Sequence, residues 1–244
     1  MSLKEDIKNK AREIRYSDFS KKPTNSVPNI TTSTLTFGCT GLTFPATVLY
    51  IDMRGSTKVL NIHQRRVVAK IHMIYYYAIC RIAKYDGGEI RSFNGDSLLV
   101  FFYGNGVDIT RKAVLSAMKM HYAITQIVND TLSAYTDIDF GIGIDYGEIL
   151  ATKVGLGGSE DNKDLIWIGN AVNRATKISD ECRSPHHIGI SDTVYSRLDE
   201  TMIGYKEKNQ GGLIVEKKYW NRCCFDYNNK NEYMFKTSYY YELM

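Results

Sequence analysis

GGEIRSFNGDSLLVFFY, residues 87–103, is the stretch whose reading decides the fold. Asn94-Gly95 separates two runs rich in β-branched, aromatic and aliphatic residues, 89–93 and 97–103, which is the strongest short-range signal for a β-hairpin. Asp96 follows that dipeptide directly. Upstream, 46–51 is a continuous apolar run of strand length closed by Asp52-Met53-Arg54-Gly55, the pattern of a buried central strand ending in a tight turn. Between that strand and the hairpin, Leu60, Val67, Ile71, Ile74, Ala78 and Ile82 recur at helical spacing. With Ser56 or Thr57 as N-cap and Gly87-Gly88 as stop, they predict one helix of about 25 residues.

Downstream, an amphipathic helix is expected over 107–129, then strands at 138–144 and 149–154 joined around Asp145-Tyr146-Gly147. A loop at 155–163, a strand at 165–168, a helix at 170–180 and a short strand at 188–190 follow, with Ser191 or Asp192 opening another helix and a last strand at 233–242. The order is β-α-β-β-α-β with additions, an α+β fold with a ferredoxin-like core. Residues 3–15 suit a polar helix, and the Ser-, Thr-, Asn- and Pro-rich run after them reads as a linker, so 1–41 form an arm and 42–244 the folded domain.

The 31 basic and 27 acidic residues give a net charge of +4, too balanced for a nucleic-acid binder but compatible with a polyanionic small substrate. Five cysteines without zinc spacing, odd in number, point to a reducing cytoplasmic setting. The charged N-terminus lacks a signal-peptide core and no run reaches the roughly 20 apolar residues of a membrane span.

Asp52 ends the buried strand and Asp96 adjoins the hairpin turn, so both carboxylates can meet at one sheet end. There they suit Mg²⁺ or Mn²⁺, two of which could activate a ribose 3′-hydroxyl and neutralise a triphosphate; a helix cap and a turn residue are the alternative. Gly55-Ser56-Thr57 opens a helix whose free N–H groups can receive phosphate, with Arg54 facing either phosphate or solvent. Asn173 and Lys177, four apart, share a helix face that is either solvated or aimed at ribose and α-phosphate.

The segments VLYIDMRGST (48–57), GGEIRSFNGDSLLVFF (87–102), FGIGIDYGEILATKVG (140–155) and LIWIGNAVNRATKI (165–178) together resemble, in order and spacing, the catalytic domain of class III adenylate and guanylate cyclases. The resemblance spans roughly 45–195. It implies that Asp52 and Asp96 bind two divalent cations with help from the Met53 carbonyl. It also implies that Asn173 orients the ribose, and that Lys177 stands where the family usually has a transition-state arginine. Lysine keeps the charge but loses the planar fork. Because the family supplies these groups from opposite subunits, a head-to-tail homodimer with two composite sites is implied.

Adenylate-type members place a lysine four residues before the second metal aspartate and an aspartate or threonine three before the motif glycine. Here those positions hold Ser92 and Ile166, and the purine-reading pair is missing. Tyr50 lies two before Asp52 and so on the same strand face, where a hydroxyl can shrink the base pocket or simply sit in the core. Arg91 offers donors to a carbonyl-rich base, or faces solvent. These departures resemble the pyrimidine cyclases of the bacterial Pycsar antiphage system. They imply cyclic UMP or cyclic CMP as a signal to a separate effector, and the donors of Arg91 and Ser92 favour UTP as substrate, with CTP next. An adenylate cyclase and a silent nucleotide-binding module are the rival readings. Lys217, Lys218 and Lys236 are further candidates for phosphate contact.

Overall fold

The described residues of the computed structural model, 1–32, 34–157, 162–208 and 214–243, run in chain order through α1 (Leu3–Tyr16), β1 (Ser20–Pro23), β2 (Thr40–Arg54), α2 (Ser56–Ile62) and α3 (Arg65–Tyr85). Next come β3 (Glu89–Asn94), β4 (Ser97–Tyr103), α4 (Val107–Tyr122) and, after a π-helical turn at Ala123–Val128, α5 (Asn129–Thr131). Then follow β5 (Asp139–Gly155), β6 (Lys163–Ile168), α6 (Asn170–Asp180), β7 (Ile188–Ser191), α7 (Asp192–Tyr195) and α8 (Glu200–Ile203). The hairpin β8 (Gly204–Lys208) and β9 (Ile214–Lys218) precedes β10 (Asn221–Tyr227) and β11 (Lys230–Thr237). Two units divide the chain, Met1–Phe44 with Glu148–Gly169, and Pro45–Gly147 with Asn170–Met244. None of the helices is long and apolar enough to cross a membrane among the described residues.

In the first unit α1 starts on a capping box, Ser2 Oγ accepting from Glu5 N at 3.3 Å and the Glu5 carboxylate accepting from Ser2 N at 3.1 Å. Its side chains are all exposed. β1 pairs parallel with Thr40–Thr43 and β6 antiparallel with Leu150–Gly155. Thr152 Oγ1 donates to Thr40 O at 2.7 Å, and a Cβ on Gly41 would lie 2.5 Å from Leu150 Cδ1. The expected linker thus contains a strand, and β2 begins at Thr40 rather than at 46. β1 buries no side chain; backbone pairing alone makes it, so it leaves no alternation to read. Of the expected loop 155–163, residues 158–161 lie outside the described residues.

In the second unit the strand order is β10-β11-β7-β5-β2-β4-β3. The four strands of the βαββαβ core, β2, β3, β4 and β5, take their ferredoxin-like places with the first between the third and fourth. One sheet face carries Leu49, Ile51, Leu98, Val100, Ile142 and Ile144 into a core with Ile71, Tyr75 and Ile79 of α3 and Val114 of α4. α6 packs on the opposite face, where Gly141 and Gly143 alternate with the buried isoleucines. A Cβ on Gly143 would overlap the Ala175 carbonyl, and one on Gly189 of β7 would lie 2.6 Å from Ile178 Cγ2. Glycine at these positions is what lets the helix backbone approach the sheet.

Five further expectations are corrected. The single long helix is two, because His63 (φ −114°, ψ 153°) and Gln64 (φ −63°, ψ 145°) are extended. Leu60 is 52% exposed, so the seven-residue step to Val67 joined two helices into one apparent stripe. The cap of α2 is Gly55, at φ +72° and without a side-chain bond, rather than Ser56 or Thr57. The strands expected around Asp145-Tyr146-Gly147 are one continuous β5; Asp145 is buried and bonded to Ser191 and Arg174, not free to make a turn. The hairpin pairs Asn94 with Ser97, which makes Gly95 (φ +66°) and Asp96 its two central residues. The last strand, β11, stops at Thr237.

Candidate active site

Asp52 closes the β2–β4 ladder opposite Ser97, and Asp96 precedes Ser97 in the turn, so the two carboxylates lie near each other beyond the sheet end, close enough for the charge of one to act on the other. Burial first, then the charge of Asp96, pushes the Asp52 carboxyl up to about 6, with Arg54 opposing. Arg54 Nη1 donates to Asp52 Oδ2 at 2.6 Å, Nε to Cys182 O at 3.2 Å and Nη2 to Ser179 O. The guanidinium, weighed for phosphate, therefore ties Asp52 to the carbonyl end of α6, where helix polarity favours a cation.

No three His, Cys, Asp or Glu side chains gather into a metal cage among the described residues. Two converging carboxylates, mutually repulsive when ionised, nevertheless fit a hard divalent cation that completes its shell with carbonyl, water and substrate oxygens. Met53 is buried between Asp52 and Arg54 in sequence, its carbonyl being the expected backbone ligand.

Tyr76 of α3 was not anticipated. Its hydroxyl reaches Gly95 O at 3.0 Å and Ser97 O at 3.1 Å, the two carbonyls flanking Asp96. Burial and the Asp96 charge raise its phenol to about 12. Tyr75 beside it is fully buried, with no hydrogen-bond partner for its hydroxyl among the described residues. Within the run Tyr75-Tyr76-Tyr77, helical phase marks Tyr75 as core, but no spacing rule points Tyr76 at the turn. Ser56 and Thr57 line an open cleft of about 320 Å³ together with Gly95, Asp96 and His72; the small-residue turn and the carboxylate thus share one concavity.

Tyr50 pairs with Leu99, which also pairs with Ser92, so all three stand in register. Burial raises the Tyr50 phenol, the neighbouring Ser97 side chain opposes, and the charges of Asp52, Asp180 and Asp96 raise it further. The β3–β4 register shifts between Ile90 and Ser92, leaving Arg91 as the extra residue of a bulge, the device that re-aims a side chain; its Nη1 donates to Glu89 Oε2 at 3.0 Å and Ile90 O at 2.9 Å. Ile166 belongs to the first unit, opposite Thr152 and 41% exposed.

Asn173 and Lys177 are exposed on α6. Lys177 Nζ lies 3.9 Å from Asp180 Oδ2, and Arg54 Nη1 3.9 Å from Asp180 Oδ1, a charge series ending at Asp52. Arg174, between them in sequence, bridges Asp145 at 3.2 Å and Glu232 at 3.1 Å, anchoring the helix. Lys217 pairs with Glu207 at 2.6 Å, Lys218 is exposed, and Lys236 donates to Glu181 O at 2.5 Å.

A family model described as the adenylate and guanylate cyclase catalytic domain matches residues 43–235. A uridylate cyclase of Rhodovulum sp. (strain MB263) is 28% identical over 98% of both chains, and one of Xanthomonas perforans is 28% identical over 96% of both. Among solved structures, the guanylyl cyclase Cya2 superposes with a TM-score of 0.65 at 22% identity, covering 82% of this chain and 94% of its own; the fold is shared.

Proposed function

Because the chain belongs to the family of adenylate and guanylate cyclase catalytic domains, we propose that it converts UTP to 3′,5′-cyclic UMP and pyrophosphate. The observation that carries the reading is the Asp52–Asp96 pair at the end of β2, with Ser56 and Thr57 sharing a cleft with Asp96. Two end-to-end relatives named uridylate cyclase support the pyrimidine, as do Tyr50 and Ser92 in register where a purine reader would differ.

In this reading the ribose 3′-oxygen forms a bond to the α-phosphorus, the bond to the β-phosphate oxygen breaks, pyrophosphate leaves, and the hydroxyl proton passes to water. Asp52, Asp96 and the Met53 carbonyl would hold two Mg²⁺ or Mn²⁺ ions, which when bound supply charge neutralisation and a more acidic 3′-hydroxyl. Arg54 keeps the Asp52 carboxylate oriented and ionised. Ser56 and Thr57 receive phosphate oxygens. Asn173 fixes the ribose and Lys177 faces charge developing at the α-phosphate, both from a second copy of the chain, so that the working unit is a homodimer. Cyclic UMP then acts on a separate effector.

Purified protein with UTP and Mn²⁺ is expected to yield cyclic UMP by mass, lost in Asp52→Ala and Asp96→Ala. Mixing Asp96→Ala with Asn173→Ala should restore part of the activity through one intact composite site. Product made undiminished by Asp96→Ala would sink the assignment, and failure of the mixture would sink the shared site.

A further inference from the structure

A cavity of about 630 Å³ in the second unit is lined by residues the reaction above does not use. Five tyrosines, Tyr205, Tyr219, Tyr239, Tyr240 and Tyr241, converge on it with Arg111 of α4. Its volume lies in the range of small-molecule sites, which combine apolar walls with a few converging polar groups.

The walls are ordered by named contacts. Tyr241 N donates to Met118 O at 3.2 Å and Tyr239 N to Thr237 Oγ1 at 3.0 Å, holding the tail after β11 against α4. Tyr205 stacks on Tyr219 with centroids 5.5 Å apart, and Tyr219 meets Tyr239 edge-on at 4.6 Å. Arg111 is the one formally charged residue lining the cavity among the described residues. Its Nε forms a loose ion pair with Asp199 Oδ2 at 3.8 Å, beyond hydrogen-bond length, with the side chain 47% exposed, so the guanidinium keeps donors to offer an anion that competes with Asp199.

Aromatic faces take a planar base at little cost in ordering, and a guanidinium takes phosphate oxygens in pairs. One positive charge among tyrosines matches a base joined to a single phosphodiester charge better than it matches a triphosphate. We infer that this tyrosine-lined cavity is a second, non-catalytic site for a 3′,5′-cyclic nucleotide, the enzyme's own class of product. The choice of a cyclic nucleotide, and of cyclic UMP within that class, rests on the proposed function; that the ligand joins a planar ring to one anionic group rests on the cavity.

The test is calorimetric titration of cyclic UMP, cyclic CMP, cyclic AMP, cyclic GMP and inorganic phosphate into full-length Asp96→Asn, whose catalytic centre is impaired. Arg111→Gln and, separately, Tyr205→Ala are added in that background; both side chains are partly exposed, so the fold should survive. Saturable binding of cyclic UMP is expected, weakened roughly tenfold or more by either change, the scale of a lost charge-assisted contact. Binding that ignores both substitutions, or phosphate competing as well as cyclic UMP does, overturns the site. A cyclic purine binding instead, with the same dependence on Arg111, upholds the site and overturns the choice of uracil.

Discussion

Replacing Tyr76 by Phe removes one hydroxyl and nothing else from α3. That hydroxyl spans Gly95 O and Ser97 O at 3.0 and 3.1 Å, but it has one proton, so the loss in stability is that of about one hydrogen bond, roughly 0.5–1.5 kcal/mol. The effect on Asp96 should be larger than this suggests. A two-residue turn has few other restraints, and the partners that orient metal ligands are typically worth about 10–100-fold in metal affinity. We therefore expect Tyr76→Phe to weaken Mn²⁺ binding by about tenfold, read from the paramagnetic resonance signal of free Mn²⁺, with a parallel rise in the Mn²⁺ needed for half-maximal rate. Tyr77→Phe, at a residue 71% exposed, should change neither. If Tyr76→Phe lowers the melting temperature but leaves Mn²⁺ affinity within twofold, the hydroxyl serves the fold and the argument fails.

Gly143→Ala drives a Cβ into the Ala175 carbonyl; overpacking of this kind costs about 1–3 kcal/mol or more, so the thermal midpoint should fall by several degrees, and an unchanged midpoint would refute the close packing of α6. His121 packs on His187 and Phe140, and burial first, then His187, holds its imidazole down to about 4. The fold therefore favours neutral His121. Its contribution is complete above about pH 6.5 and is lost as pH falls toward 4, on the order of 3 kcal/mol in all. Asp52, raised to about 6, acts oppositely over the same window, so the readout is a comparison: in urea unfolding, His121→Phe should lose less stability than the parent between pH 7.5 and 5, and equal losses would contradict the assignment.

Much of the fold was legible because its signals are local. The β3–β4 hairpin, α6 and the order of the core strands follow from turn residues and apolar periodicity. Where tertiary contacts override local signals the reading slipped: Asp145-Tyr146-Gly147 has turn composition, but Asp145 is buried with Ser191 and Arg174 and Gly147 faces Ala171, so the strand continues. α2 and α3 merged because a seven-residue step keeps helical phase across a break. Asp52 and Asp96 stood out as a strand end and a turn. Tyr76, Asp180 and the role of Arg54 did not, since each acts through backbone carbonyls or charges distant in sequence.

The central claim, a cyclase that selects uridine triphosphate, is met most directly by offering equimolar ATP, GTP, CTP and UTP to the purified protein with Mn²⁺ and weighing the cyclic products. Cyclic UMP should dominate and vanish with Asp52→Ala; a dominant cyclic purine would contradict the reading of Tyr50 and Ser92.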